Sequence, residues 1–216
     1  MSGLLINKSR KYCYRICHVR NLPHILACGL CTKHHPDADP DFIQIGNPGI
    51  ISVRDDTRVK ISHYGNIGDY VPFYFTPRSI MQYNIVTGYW EPEVPKLNRQ
   101  YLLVIECRIE VLAGLERFLF TDGQANAAVT THYNDLQYIS AIDWLNIQHG
   151  HFHKSDGDFD RPRRYQAEFL VHHHVPVESI NALFVHNEKA ATFVKEKLKE
   201  ADNKNLKVHV QPELYF

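Results

Sequence analysis

Apolar residues recur along this chain at two spacings. Across residues 69–75, Val71, Phe73 and Phe75 fall on one face and Tyr70, Pro72 and Tyr74 on the other, the alternation of a half-buried strand. Pro72 cannot donate to a ladder, so it predicts an edge position or a bulge. The same alternation runs through 101–112, with Leu103, Ile105, Cys107 and Ile109 on one face, and shorter strands are predicted over 12–16, 117–121, 166–174, 182–185 and 207–210. Helical signals lie between them. Asn21 as N-cap, Pro23 in the first turn and Gly29 as stop bracket one helix, and Thr76-Pro77 opens another that runs to Gly88. Leu136, Ile139, Ile142 and Leu145 predict a helix over 132–148, and Asn187 caps a last one over 187–201. Residues 34–49 are rich in Pro, Asp and Gly and read as a long, functional surface loop; 155–164 is a second, polar loop. The strands are not joined by regular βα units, and no repeat or linker divides the chain. The expectation is an α+β fold in one domain spanning 1–216.

Composition narrows the function classes. A chain of 216 residues suits one packed domain, and 44% apolar residues with 24 basic against 24 acidic side chains argue against disorder. No run approaches the roughly 18 apolar residues of a membrane span. Leu4, Leu5 and Ile6 are too few for a signal-peptide core, so a cytoplasmic protein is expected. With zero net charge, nucleic acid must be met by a local patch; the densest is Arg161, Arg163 and Arg164, beside Tyr165. No glycine-rich phosphate loop follows a strand, which excludes Rossmann and P-loop enzymes.

Cysteine and histidine raise the question of a metal. Cys28 and Cys31 have zinc-knuckle spacing, with Cys13 and Cys17 upstream on one face of a strand. The plainer reading is small buried apolar residues, and no disulfide framework or metal is expected. His149, His151 and His153, and then His172, His173 and His174, form two clusters without acidic companions at helical spacing. His18 and His132 read as structural hydrogen-bonding residues.

Glu168 stands out. It enters an apolar strand on the face opposite Phe169 and Val171, where a lone carboxylate is costly unless it has partners. Three further blocks precede it: Tyr14-Arg-Ile-Cys-His18 with Asn21-Leu22; Asp69-Tyr-Val-Pro-Phe-Tyr-Phe75 followed by Pro77, Arg78, Ser79 and Met81; and Phe120-Thr-Asp-Gly123. With Gln166-Ala-Glu168, these blocks run in an order that resembles the DarT toxins, bacterial DNA ADP-ribosyltransferases, over most of the chain from residue 12 to 185. The second block is the most specific.

The resemblance implies an ADP-ribosyltransferase fold, two small packed β-sheets flanked by helices with an NAD cleft between them. It implies NAD as substrate and transfer of ADP-ribose to a base in single-stranded DNA. Glu168 matches the family's catalytic carboxylate. Arg54 matches its catalytic arginine, with Arg58 as the competing position. Tyr14, Arg15, Cys17, Asn21 and Leu22 of the first block, and Tyr74, Arg78, Met81 and Tyr83 of the second, match the nucleotide site. Arg15 stands where thymine-modifying members are expected to carry His, and Gln124 stands where some relatives carry His, so thymine and guanine both stay open as acceptor. Gln124, Arg161, Arg163, Arg164 and Tyr165 are the expected DNA contacts. A cognate antitoxin that removes ADP-ribose, of macrodomain or other type, is the expected partner. Two other readings stay open: a metal-dependent nuclease or hydrolase using the His clusters, and a non-catalytic nucleic-acid-binding module.

Overall fold

Strand β1 (Tyr12–His18) sends Cys13 and Cys17 into one apolar core and Tyr14 and Ile16 into another, so both of its faces are covered. In this computed structural model, which describes residues 10–203 and 205–216, β1 is followed by α1 (Leu22–Cys28), β2 (Leu30–Cys31), α2 (Pro48–Asp56), β3 (Tyr70–Tyr74), α3 (Ile80–Thr87) and β4 (Leu102–Arg108). Next come α4 (Ile109–Ala113), β5 (Phe118–Thr121), β6 (His132–Tyr133), α5 (Trp144–His149), α6 (Arg161–Tyr165), β7 (Glu168–His172) and β8 (His174–Val175). The chain ends with β9 (Ile180–Val185), α7 (Glu188–Glu200) and β10 (Lys207–Val210). The apolar run at 4–6 lies outside the described residues.

The α+β class stands, with a refinement. Eight strands form one sheet in the order β10-β9-β4-β1-β3-β7-β5-β6, and β2 with β8 forms a small ribbon. The expected pair of sheets takes the form of two halves of this sheet. β1 is in register with β4 through seven residues and β3 with β7 through five. Between β1 and β3 a single pair is in register, Tyr14 opposite Tyr74. The halves meet at that seam.

The larger core lies on one face, where Phe73, Phe75, Phe120 and Phe169 are fully buried against Leu103, Ile105 and α7 residues such as Val194. Each such side chain contributes about 2 kcal/mol by leaving water. On the other face Tyr14, Ile16, Val104 and Phe184 pack with Ile45 and Ile85, and a third cluster gathers Ile67, Tyr70, Leu119 and Leu170.

Several expectations from the sequence change. Pro72 is central, opposite Leu170 of β7. Its carbonyl faces β1 and accepts from Arg15 Nη1 at 3.1 Å, so its missing N–H falls on the side where the ladder has already ended. The helix after β3 starts at Ser79, whose hydroxyl accepts from Gln82 N, and not at Thr76, which instead makes a turn by accepting from Arg78 N. The run 101–112 divides into β4 and α4. The predicted helix over 132–148 is a short strand, a 3-10 helix (Leu136–Ala141) and α5, with Asp135 and Asp143 capping the two helical pieces. The polar loop 155–164 ends in α6. Asn21 precedes α1 but makes no cap bond; its amide pairs with both backbone groups of Ile43, at 2.9 and 3.0 Å, and ties the long loop to the start of that helix.

Candidate active site

The seam opens into a cavity of about 250 Å³. β1 supplies Arg15, Ile16 and Cys17; β3 supplies Tyr70, Val71, Pro72 and Tyr74; β7 supplies Glu168. The loop after β2 and helix α2 close the far side, with Phe42, Ile45, Ile51 and Arg54. Helix α2 buries no residue fully, so packing alone does not explain it. Asn47 caps it, accepting from Ile50 N at 3.1 Å, and Pro48 fits its first turn.

Glu168 is 2% exposed. Arg54 Nη1 donates to both of its oxygens, at 3.0 and 2.8 Å, and Ala125 N–H donates to Oε1 at 3.0 Å. A buried carboxylate is tolerable only with such partners. Of the two candidate arginines, Arg54 reaches it; Arg58 bridges through its backbone to Asn66. Tyr74 stands directly across from Glu168 on the neighbouring strand, and its hydroxyl lies 3.9 Å from Met81 Sδ. Burial first, and the Glu168 charge second, raise the Tyr74 phenol well above its ordinary pKa, so it is a neutral donor.

Arg15 has a different position. Its side chain is partly buried, Nη1 donates to the Pro72 carbonyl, and the buried Nε has no partner among the described residues; Nη2 of Arg54 is orphaned too. Burial first, and the nearby Arg54 charge, lower the Arg15 pKa. Two guanidinium groups line the cavity, each with a buried N–H left unsatisfied, and a carboxylate matches only Arg54, so the cleft is short of negative charge. An anion with several oxygens, such as a diphosphate, fits that deficit. Burial raises the Cys17 thiol to about 12, so it is an apolar wall and not a nucleophile.

The cavity thus brings together Arg15, Cys17, Arg54, Tyr74, Met81, Gln124 and Glu168 from the sequence candidates. Others lie elsewhere. Tyr14 shares the face of Tyr74, but its hydroxyl bonds Glu106. Leu22 is fully buried in the large core, and the buried Asn21 bonds the Ile43 backbone, neither of them lining the cavity. The Arg78 guanidinium lies 4.3 Å over the Phe216 ring, and Tyr83 packs against Phe152 and Phe216.

The segment expected to meet DNA is tied into internal bonds. Tyr165 is 1% exposed and donates to the Arg78 carbonyl, so it offers no ring for a base to stack on. Arg161, Arg163 and Arg164 are not a free basic patch. They pair with Asp122, Asp143, Asp158 and Asp160 at 2.7–3.4 Å. Sequence reasoning missed the α2 frame, whose signal was Asn47-Pro48, and the Ala125 N–H, which as a backbone group has no residue signature.

Among the described residues no three His, Cys, Asp or Glu are grouped to hold a metal. Cys13 and Cys17 are core residues, His149 bonds the Leu145 carbonyl, and His174 the Cys28 carbonyl. No helix among them is long and apolar enough to cross a membrane.

Comparison with known proteins identifies the family. The family described as "ssDNA thymidine ADP-ribosyltransferase, DarT" matches residues 14–216. A DNA ADP-ribosyl transferase of Escherichia coli O127:H6 is 31% identical over 211 residues, 98% of this chain and 96% of that protein. One from Thermus sp. strain 2.9 is 32% identical over 87% of each chain. The solved structure of Thermus sp. 2.9 DarT in complex with ADP-ribosylated ssDNA superposes with a TM-score of 0.83 at 27% identity, covering 96% of this chain and 97% of that one. The same protein in complex with NAD+ gives 0.80 at 26% identity, over 96% and 98%. The chain with this Arg-lined cleft therefore belongs to the DarT family and is an NAD-dependent DNA ADP-ribosyltransferase.

Proposed function

We propose that Glu168 and Arg54 are the catalytic pair, that Arg15 binds the diphosphate of NAD, and that the acceptor is a thymine base of single-stranded DNA. The observation that carries this reading is the buried Glu168 carboxylate held by Arg54 in a cavity that Arg15, with its unpartnered Nε, also lines. NAD supplies a glycosidic bond whose electron pair leaves with nicotinamide, so positive charge develops on the ribose. A preorganised carboxylate in a dry cleft stabilises that charge where it forms. Arg54 holds the carboxylate oriented, and Tyr74 and Met81 wall the same end of the cleft. The attacking ring nitrogen of the base loses its proton as the new bond to ribose forms, and Glu168 is the base within reach.

Gln124 faces the same cavity, and its carboxamide can donate to and accept from a base edge. The family description names thymidine, which supports thymine over guanine. The toxin role and the pairing with an antitoxin that removes ADP-ribose follow from the family and belong to the same reading, as does residence in the cytoplasm with the DNA. The whole chain serves as one transferase domain.

Incubation with NAD and single-stranded oligonucleotides that contain thymine or guanine as the sole modifiable base, read by mass spectrometry, tests the proposal. The ADP-ribose adduct is expected on thymine and absent with Glu168→Gln. An adduct confined to guanine would correct the acceptor, and full activity in Glu168→Gln would remove the site.

A further inference from the structure

The segment between β5 and β6 delivers Ala125 N–H to Glu168, and His132 sits behind it. His132 is 7% exposed. Its Nδ1 faces Lys60 N–H at 3.0 Å and its Nε2 faces the Ala125 carbonyl at 3.0 Å. An amide N–H can only donate, so Nδ1 carries the lone pair and Nε2 carries the proton. The bonds then run in one direction: Lys60 N–H to Nδ1, Nε2–H to the Ala125 carbonyl, and Ala125 N–H to Glu168 Oε1 at 3.0 Å.

The rest of the segment has other anchors. Lys60 Nζ donates to the carbonyls of Ala128 and Thr130, at 2.5 and 2.7 Å. Arg163 Nη1 donates to Asp122 and to the Thr130 hydroxyl, and the Arg163 carbonyl accepts from Gln124 N. These bonds hold positions 122, 124, 128 and 130. His132 alone among the described side chains bonds Ala125 from behind, so its removal frees that residue while the segment stays tethered.

We infer that His132 is a positioning residue that acts through Ala125 to set the Glu168 carboxylate, and that it does so only in its neutral, Nε2-protonated form. This rests on the reading of Glu168 as the catalytic carboxylate. A second proton on the ring would set Nδ1–H against Lys60 N–H and break the chain at its first link. The charged groups facing His132 are Lys60, Asp122 and Glu168. Burial, the largest effect, disfavours the imidazolium, and Lys60 adds to it.

Two substitutions separate the ends of the ring. In His132→Gln the amide nitrogen occupies the Nε2 end and still donates to Ala125. In His132→Asn the shorter side chain meets only Lys60. ADP-ribose transfer to a thymine-containing oligonucleotide is measured for both, with KM for NAD, thermal melting, and Glu168→Gln in parallel. His132→Asn is expected to lose up to about 100-fold in kcat through a misplaced carboxylate, with KM for NAD little changed, and His132→Gln is expected to recover most of that loss. Where the Asn variant does not melt as a folded protein, the pH profile of kcat decides: His132→Gln lacks the part of the acid limb that the wild type owes to imidazolium formation. Wild-type kcat in a folded Asn variant, a folded Gln variant no better than Asn, or an acid limb unchanged in Gln would overturn the inference. Activity surviving in Glu168→Gln would instead overturn the reading of the carboxylate itself.

Discussion

Arg54 holds Glu168 through one nitrogen. Nη1 spans both carboxylate oxygens, while Nη2 stays buried and without a partner. The pair is therefore tight but unsaturated, with a donor left over on the cleft side. Arg54→Ala strands a carboxylate that is 2% exposed, and removing one partner of a buried pair costs about 3 kcal/mol. The expected result is a lower melting temperature together with loss of transfer. The combined replacement Arg54→Met and Glu168→Leu should recover most of the stability and none of the activity, as measured by urea unfolding and by adduct formation.

Arg15 leads to the opposite expectation for the empty protein. That side chain has no carboxylate partner among the described residues and its buried Nε is orphaned, so Arg15→Met removes a desolvation cost and keeps the volume. The variant should melt at or above the wild-type temperature without NAD. Wild type should gain stability as NAD is added, because a ligand that binds only the folded form shifts the equilibrium; Arg15→Met should not. An equal NAD-dependent shift in both proteins would exclude Arg15 from the nucleotide site.

How these residues could be read in the sequence differs case by case. Glu168 was visible because a carboxylate interrupts an apolar alternation. β10 and the Asn187 cap were visible for similar local reasons, and Asn187 does accept from Ala190 N. In the stretch 132–148 apolar residues three apart satisfy a 3-10 turn followed by a bend as well as one α-helix; Asp135 and Asp143, each a cap, mark two separate pieces. The pairing of Arg163 with Asp122 and of Arg164 with Asp143 is not legible in the sequence, because those partners are distant along the chain.

That network yields a prediction about salt. Arg163 and Arg164 are matched by four aspartates, so Arg163→Ala should lower the melting temperature by removing bonds to Asp122, Asp160 and Thr130. The slope of log oligonucleotide affinity against log salt should fall by less than about one, the change expected on losing a direct phosphate contact. A loss of one or more would return Arg163 to the DNA interface.

Acid should destabilise the fold through its histidines. Burial is the leading cause that lowers the pKa of His18, His132, His172 and His186 below the ordinary value. In the unfolded chain these groups take up protons as pH falls through about 6.5, while the folded protein resists. The unfolded state then binds more protons, so stability declines with falling pH below that point. Melting curves in steps from neutral to pH 5 should show the decline, and His132→Gln should make it shallower. A melting temperature constant over that range would contradict the assignment of neutral buried rings.

The single Tyr14–Tyr74 register pair at the seam has a consequence for how this cleft can change. The ladder is nearly broken there, yet the two halves share the large apolar core behind it: Cys13, Cys17, Leu103 and Ile105 from one side pack in the same cluster as Phe73, Phe75, Phe120 and Phe169 from the other. The sheet is parted in its hydrogen bonds and joined in its packing. A change of volume in that shared core therefore reaches the distance between the Arg15 strand and its neighbour without replacing any residue of the cavity wall.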